Sequence, residues 1–346
     1  MKTKLKDTVL KILDENYKND RSELIKRIEE LGSNDLKPIE ESLSSAHLAD
    51  LLEVNAARLI QGKNDGEFIA TGFKDFDKEF GGFFPGEFVV IGGRPAMGKT
   101  LLLISLALNI SKTHNVLYFS FDHDEVMLSQ KFLSALTNIP LEKLLSGILN
   151  DEELKTIKER KRQFESLNIH VNTKGRETIQ AFKDIVERHI EKHSDAVVIL
   201  DYLQMMNASR KWRAHESEFS LIVRELKQIA KEKKLVLIAS SQLSRAVETR
   251  GGDKKPMMSD LRESGSIEQD TDKVLFLYRP EYYQIEVDEN GDSTEGYAEL
   301  MLVKNKNGKT GEVSLAYDSS MTRFKDYQPG KNLFEIPQKR WDELDD

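Results

Sequence analysis

The chain has 346 residues, 39% of them apolar and 32% charged, with a formal net charge of −8; at roughly 150 residues per domain this is about two domains, or one large one with an appendage. The acidic balance argues against a surface coated in nucleic acid, yet it allows a local basic groove, because net charge says nothing of where charges sit. There is no cysteine, which excludes disulfides, cysteine nucleophiles and thiolate metal sites; no apolar run reaches the ~18 residues of a transmembrane helix, and charges interrupt the apolar stretch of the first residues too early for a secretory signal, so no membrane is expected and the cytoplasm is the expected compartment.

Segment 1–61 reads as helices. Leu5, Val9, Ile12 and Leu13 share one helical face, Leu24, Ile28 and Leu31 another, and Leu48, Leu51, Leu52 and Leu59 a third. Gly62 to Gly66 is a polar break and is taken as the linker. Beyond it, from 66 to 328, short Val/Ile/Leu/Phe runs alternate with helical stretches. The runs are Phe88–Ile91, Val116–Phe119, Ala196–Leu200, Leu235–Ala239 and Val274–Tyr278; the helices start at Thr100, span about Val126 to Leu136, and run from Glu218 to Glu232. Near-continuous apolar strands separated by helices predict an α/β fold with a mostly parallel sheet covered on both faces. Ala298–Val303 and Val313–Tyr317, joined through Asn307-Gly308, predict a C-terminal β-hairpin. The acidic segment 329–346 is expected to be peripheral.

The strongest chemical signal is Gly93-Arg94-Pro95-Ala96-Met97-Gly98-Lys99-Thr100. It fits G-x-x-x-x-G-K-[ST] and lies between a strand and an apolar helix, where a phosphate-binding loop belongs. Glycines let backbone N–H groups wrap phosphates, and the helix start adds partial positive charge. Lys99 is then expected at the β- and γ-phosphates of ATP and Thr100 at Mg²⁺. Asp201 ends a buried apolar strand about a hundred residues later, the expected place of the Mg²⁺ partner carboxylate. Ser240-Ser241-Gln242 ends the next strand, where open parallel sheets bind ligands. Gln242 reads either as a contact to the γ-phosphate or as part of a strand-end turn.

These residues sit in a longer pattern. Thr71-Gly72-Phe73, Pro85-Gly86-Glu87, the phosphate loop, LDYLQMM (Leu200 to Met206), SSQLSRAVETR (Ser240 to Arg250) and the run from Lys255 to Tyr283 together resemble the motor domain of DnaB-family hexameric replicative helicases, over roughly residues 45 to 325. The resemblance implies a RecA-like P-loop fold, a homohexameric ring with nucleotide sites between subunits, and single-stranded DNA in the channel. It makes Gln242 the γ-phosphate sensor and places Arg262, Glu263 and Gly265 on a channel loop that holds strand phosphates. Arg210, Lys211, Trp212 and Arg213 would form a second loop near the channel, basic residues beside an aromatic suiting stacked bases; the same segment reads equally as a solvated loop or a subunit contact. The helix Leu48 to Leu59 resembles the family's linker helix. A helicase loader and primase are the family's further partners, and the segment before that linker helix is much shorter than the family's N-terminal domain.

Two catalytic positions depart from the family pattern. The family's catalytic glutamate aligns with Asp122, one methylene shorter, with Asp124 or Glu125 as substitutes. The family's Lys-x-Arg, whose arginine acts on the neighbouring subunit's nucleotide, is Lys304-Asn305-Lys306; lysine supplies the charge without the planar fork. The sequence thus predicts an ATP-dependent DNA helicase or translocase. The rival is a RecA-like assembly protein that uses slow ATP turnover as a conformational switch.

Overall fold

The structure, a computed structural model, describes residues 68–328 except 176, 194, 208–216, 262–263, 289–290, 319 and 321–322, together with Leu48, Leu52 and Ala56. Leu48, Leu52 and Ala56 are helical; the other helical readings of segment 1–61, the loop Arg210 to Arg213, Arg262, Glu263 and the tail 329–346 lie outside the described residues. The chain divides into two compact units, Met1–Glu67 and Phe68–Asp346, and the fold below is that of the second.

Its elements follow in chain order. Helix α1 (Lys74–Phe80) precedes β1 (Phe88–Gly93), α2 (Lys99–Ile110), β2 (Val116–Ser120) and α3 (Glu125–Thr137). Three short helices, α4 (Leu141–Ser146), α5 (Asp151–Glu159) and α6 (Lys161–Glu165), lead to β3 (Ile169–Asn172) and α7 (Ile179–Ile190). Then come β4 (Val197–Asp201), α8 (Glu218–Glu232), β5 (Val236–Gln242), α9 (Ala246–Thr249), α10 (Ser264–Asp270), β6 (Lys273–Tyr278), β7 (Tyr297–Asn305), β8 (Gly311–Asp318) and β9 (Arg323–Asp326). Among the described residues the strands form one nine-stranded sheet in the order β3-β2-β4-β5-β1-β6-β7-β8-β9. Strands β3 to β6 pair in parallel and β6 to β9 antiparallel. This is the mostly parallel α/β sheet with a C-terminal hairpin that the sequence predicts.

The apolar runs are continuous because both faces are covered. Val89, Ile91, Tyr118, Ile199 and Ile238 point into one core with α1 and α2. Their neighbours Phe88, Val90, Phe119, Leu200 and Leu237 point into the other with α7 and α8, as the two-residue period of a strand dictates. Helix α8 buries Ile222, Val223, Leu226 and Ile229 on one stripe, and Ser217 caps it by accepting from the Ser220 N–H. Truncating Leu226 there would cost about 2–5 kcal/mol.

Thr71-Gly72-Phe73 and Pro85-Gly86-Glu87 are structural anchors. Asp77 of α1 accepts hydrogen bonds from the Thr71 N–H (2.8 Å), the Thr71 hydroxyl (2.7 Å) and the Gly72 N–H (2.9 Å). Gly72 has φ +77°, and a Cβ there would meet Asn109 at 2.6 Å. Glu87 is buried against Lys273 at 2.5 Å and accepts from Asn307 Nδ2 at 2.8 Å, so it ties β1 to β6 and to the β7–β8 turn. Breaking such a buried pair by removing one partner costs about 3–5 kcal/mol, because the other charge stays buried.

Two strands and one long helix were not foreseen. Strand β3 (Ile-His-Val-Asn) and β9 (Arg-Phe-Lys-Asp) carry too few apolar residues to read as buried runs. Helix α7 hides in a charged stretch, although Ile179, Phe182 and Val186 are its buried stripe. With β9 added, the C-terminal hairpin is part of a three-stranded meander.

Candidate active site

The carboxyl ends of β2, β4, β5 and β1 lie side by side, where parallel sheets bind ligands. The register sets Ser120 opposite Asp201 and Gln242 opposite Gly93. Strand β1 thus runs straight into the phosphate loop with Gln242 at its shoulder.

The loop's shape follows from its glycines and from what surrounds it. Gly98 takes φ +105° and leads into α2, with the Phe324 ring within 3.1 Å of where a Cβ would stand. Ala96 also lies in the left-handed region, at φ 61°. Met97 is buried at the foot of the loop. Arg94 gives its guanidinium to Glu248 (2.7 and 2.9 Å) and the Leu243 carbonyl (2.6 Å), and so fastens the loop to α9 and the end of β5. Arg279 lies flat on the Tyr317 ring at 3.4 Å and donates to the Ala96 carbonyl at 3.3 Å. Lys99 is folded back on the loop, donating to the carbonyls of Gly93 (2.9 Å) and Arg94 (3.0 Å). Burial lowers its pKa to about 8, and Asp201 opposes that shift.

Asp201 is the centre of the site. It is buried, and three hydroxyls converge on its carboxylate: Thr100 at 2.7 Å and Tyr118 at 3.4 Å on Oδ2, and Ser240 at 2.6 Å on Oδ1. Burial, first, and the neighbouring Asp201 hold the Tyr118 phenol far above its ordinary pKa, so it stays a donor. Gln204 fixes the adjacent strand end: its Nε2 donates to Ser241 Oγ at 2.8 Å, and its Oε1 accepts from the Gln242 N–H at 3.3 Å. The oxygens of Thr100 and Asp201 are hard donors of the kind that holds Mg²⁺ together with substrate phosphates, so the residues present fit that ion.

Asp122 follows β2 and is exposed. Asp124 is occupied differently, capping α3 by accepting from the Met127 N–H at 2.8 Å. Lys131, one face along α3, was missed by the sequence reading. Burial pulls its pKa down, while Asp201 and Asp122 act in the opposite sense. Ser240 was likewise seen only as part of a strand end. The signal for both is positional: a hydroxyl on the strand beside Asp201, and a lysine in the second turn of α3.

The family model for the DnaB-like helicase C terminal domain matches residues 68–326. The chain belongs to this family. It is 34% identical over 311 residues to the replicative DNA helicase DnaB of Rickettsia felis, covering 83% of this chain and 61% of that protein. It is 39% identical over 265 residues to a probable replicative DNA helicase of Trieres chinensis, covering 75% of this chain and 57% of that protein. The chain thus spans somewhat over half the length of these relatives. Among solved structures, an ATPase domain aligns with a TM-score of 0.73 at 28% identity, covering 82% of this chain and all of that one. A DnaB-like replicative helicase, described with its interactions with primase, aligns at 0.71 and 26%, covering 94% of this chain and 77% of that one.

Family membership gives the remaining residues a frame. The base of the loop that carries Arg262 and Glu263 is described: buried Asp260 pairs with Arg250 and accepts from the Met257 N–H at 2.7 Å. Gly265 is exposed on the first turn of α10, with open space where a Cβ would stand. Lys304 and Lys306 leave β7 near the amino end of β6, with Lys304 opposite Val274. That is the end of the sheet away from their own phosphate loop, so they serve no nucleotide bound there. Lys304 donates to the carbonyls of Glu268 and Thr271, Lys306 to that of Gln269 at 3.3 Å. Among the described residues no helix is long and apolar enough to cross a membrane.

Proposed function

We propose that this chain is an ATP-driven motor that moves along single-stranded DNA and unwinds duplex, working in a ring of copies of itself. The observation that carries the reading is the Thr100–Asp201–Ser240 cluster at the mouth of the phosphate loop. It is a preformed oxygen site beside backbone N–H groups, with Gln242 and Asp122 on the neighbouring strand ends.

The residues divide the work as follows. The loop from Gly93 to Thr100 wraps the phosphates, and Lys99 exchanges its two backbone carbonyls for phosphate oxygens. Thr100 and Asp201 would hold Mg²⁺, which offsets charge on the β- and γ-phosphates when bound. Asp122 accepts the proton of, or orients, the water that attacks the γ-phosphorus, and ADP leaves. Lys131, which feels the charge of Asp201 and Asp122, would help offset charge on the γ-phosphate. Gln242 senses whether that phosphate is present and passes the difference through Gln204 to the end of β5. Lys304 and Lys306 act on a neighbouring subunit's nucleotide.

Channel contacts fall to Arg262, Glu263 and Gly265, and to Arg210, Lys211 and Arg213. Primase and a loader are proposed as partners and the cytoplasm as the compartment. The relatives named above are replicative helicases by name, which favours a motor over a slow ATP switch.

The test is ATP hydrolysis with and without single-stranded DNA. Turnover should rise with DNA, and DNA affinity should fall with salt at a log–log slope of about −0.7 per phosphate contact. Arg262→Ala should lower both affinity and slope. Hydrolysis indifferent to DNA would favour the switch.

A further inference from the structure

Three of the chain's seven histidines meet at the far edge of the sheet. His170 is on edge strand β3, opposite Leu117 of β2. His189 is in the last turn of α7. His193 lies one turn on, where its N–H donates to the His189 carbonyl at 3.0 Å. That i, i+4 relation stacks the last two on one face, and helix packing brings His170 to them. The ring centroids are 4.7–4.9 Å apart, and one nitrogen from each ring lies within 4.8 Å of the other two.

Hydrogen bonding does not account for the cluster. His189 Nε2 is buried and has no hydrogen-bond partner among the described residues. Burial, then His170 and His193, lower the His189 pKa to about 4, with Lys192 adding to the effect and Asp195 opposing it. Burial and His193 also lower that of His170. Both shifts favour the neutral imidazole, the form that ligates a metal.

We propose that His170, His189 and His193 bind a divalent transition-metal ion, with Zn²⁺ as the expected one. Three imidazoles with a fourth position open to water are a recurrent Zn²⁺ arrangement, and imidazole is a poor ligand set for Mg²⁺. The Mg²⁺ oxygens of Thr100 and Asp201 meet at the carboxyl end of β4, two strands from β3 and roughly 10 Å across the sheet, and hard oxygens and imidazoles select different ions. Metal here would pin β3, which among the described residues pairs on one side only, to α7. Binding needs ring shifts of about an ångström, since nitrogens on one Zn²⁺ each sit ~2.0–2.1 Å from it.

The test is to strip the full chain with chelator, titrate Co²⁺ as a visible probe and Zn²⁺ in competition, and count bound metal. The expected result is one Zn²⁺ per chain. Zn²⁺ at a hundredfold excess over Kd should also raise Tm by roughly 5–10 °C, which equimolar Mg²⁺ does not do. Both effects should vanish in His170→Ala and in His193→Ala. His170 is exposed, so its variant keeps the fold even if a His189 variant does not. No bound Zn²⁺, or one Zn²⁺ retained in both variants, would overturn the proposal.

Discussion

The Thr100 hydroxyl donates to Asp201 Oδ2 at 2.7 Å, joining the first turn of α2 to the end of β4 across 101 residues of sequence. The bond presets the two oxygens that the proposed Mg²⁺–nucleotide site needs. Thr100→Ser keeps the hydroxyl and should keep turnover within a few-fold. Thr100→Val keeps the shape without it, and Mg²⁺-dependent ATP hydrolysis should drop about 10²–10³-fold, the usual scale for one preorganised electrostatic contact. Steady-state ATPase assays, with melting curves to confirm the fold, decide this. Equal activity of the valine variant would remove Thr100 from the site.

ATP binding should depend on pH through Lys99. Burial holds its ammonium at a pKa of about 8 in the free protein, and phosphate needs the charged form. The charged form is present below that pKa and is lost as pH rises through it. ATP affinity should therefore be flat near pH 7 and fall about tenfold by pH 9, well below the ordinary lysine pKa near 10.4. Lys99→Arg should abolish the slope even where it weakens binding. Fluorescent-nucleotide titrations across pH check this; a flat wild-type profile to pH 10 would contradict it.

Asp122 and Asp124 should separate cleanly. Asp124 already caps α3, and asparagine caps as well as aspartate, so Asp124→Asn should leave turnover nearly unchanged. Asp122→Asn should lower it by roughly 10²–10⁴-fold, with ATP affinity little altered. Asp122→Glu raises turnover if the shorter acid limits chemistry. Single-turnover hydrolysis distinguishes these, and the reverse pattern would move the base to Asp124.

Lys306 should work between subunits. Its side chain is 42% exposed, and its contacts to the Gln269 carbonyl (3.3 Å) and to Asp272 (3.7 Å) are long enough to exchange for phosphate. Lys306→Ala and Lys99→Ala proteins should each be nearly inactive. Mixed, they should regain part of the ATPase activity, because some interfaces then pair an intact loop with an intact Lys306. A tagged pull-down confirms that subunits exchange. Exchange without recovered activity, or full activity of Lys306→Ala alone, would end the in-trans role.

What could be read from the residues was what recurs on a short period. Apolar runs gave the parallel strands because both sheet faces are buried. The phosphate loop, Asp201 and Gln242 were legible because each sits at a strand end, where a single polar residue interrupts an apolar run. What could not be read depends on contacts across the chain. The tie from Glu87 to Lys273 spans 186 residues, and Ser240 meets Asp201 only through strand pairing. The three histidines come from an edge strand and a helix that carry weak patterns. Arg94 shows the limit of motif reading, since its side chain fastens the loop instead of lining it.

ATP chemistry at this site should drive movement on DNA, and strand displacement on a forked duplex tests that most directly. Unwinding should require ATP, Mg²⁺ and a single-stranded arm, and should be lost in Lys99→Ala. ATP hydrolysis at a normal rate with no strand displacement on forks of either polarity would contradict it.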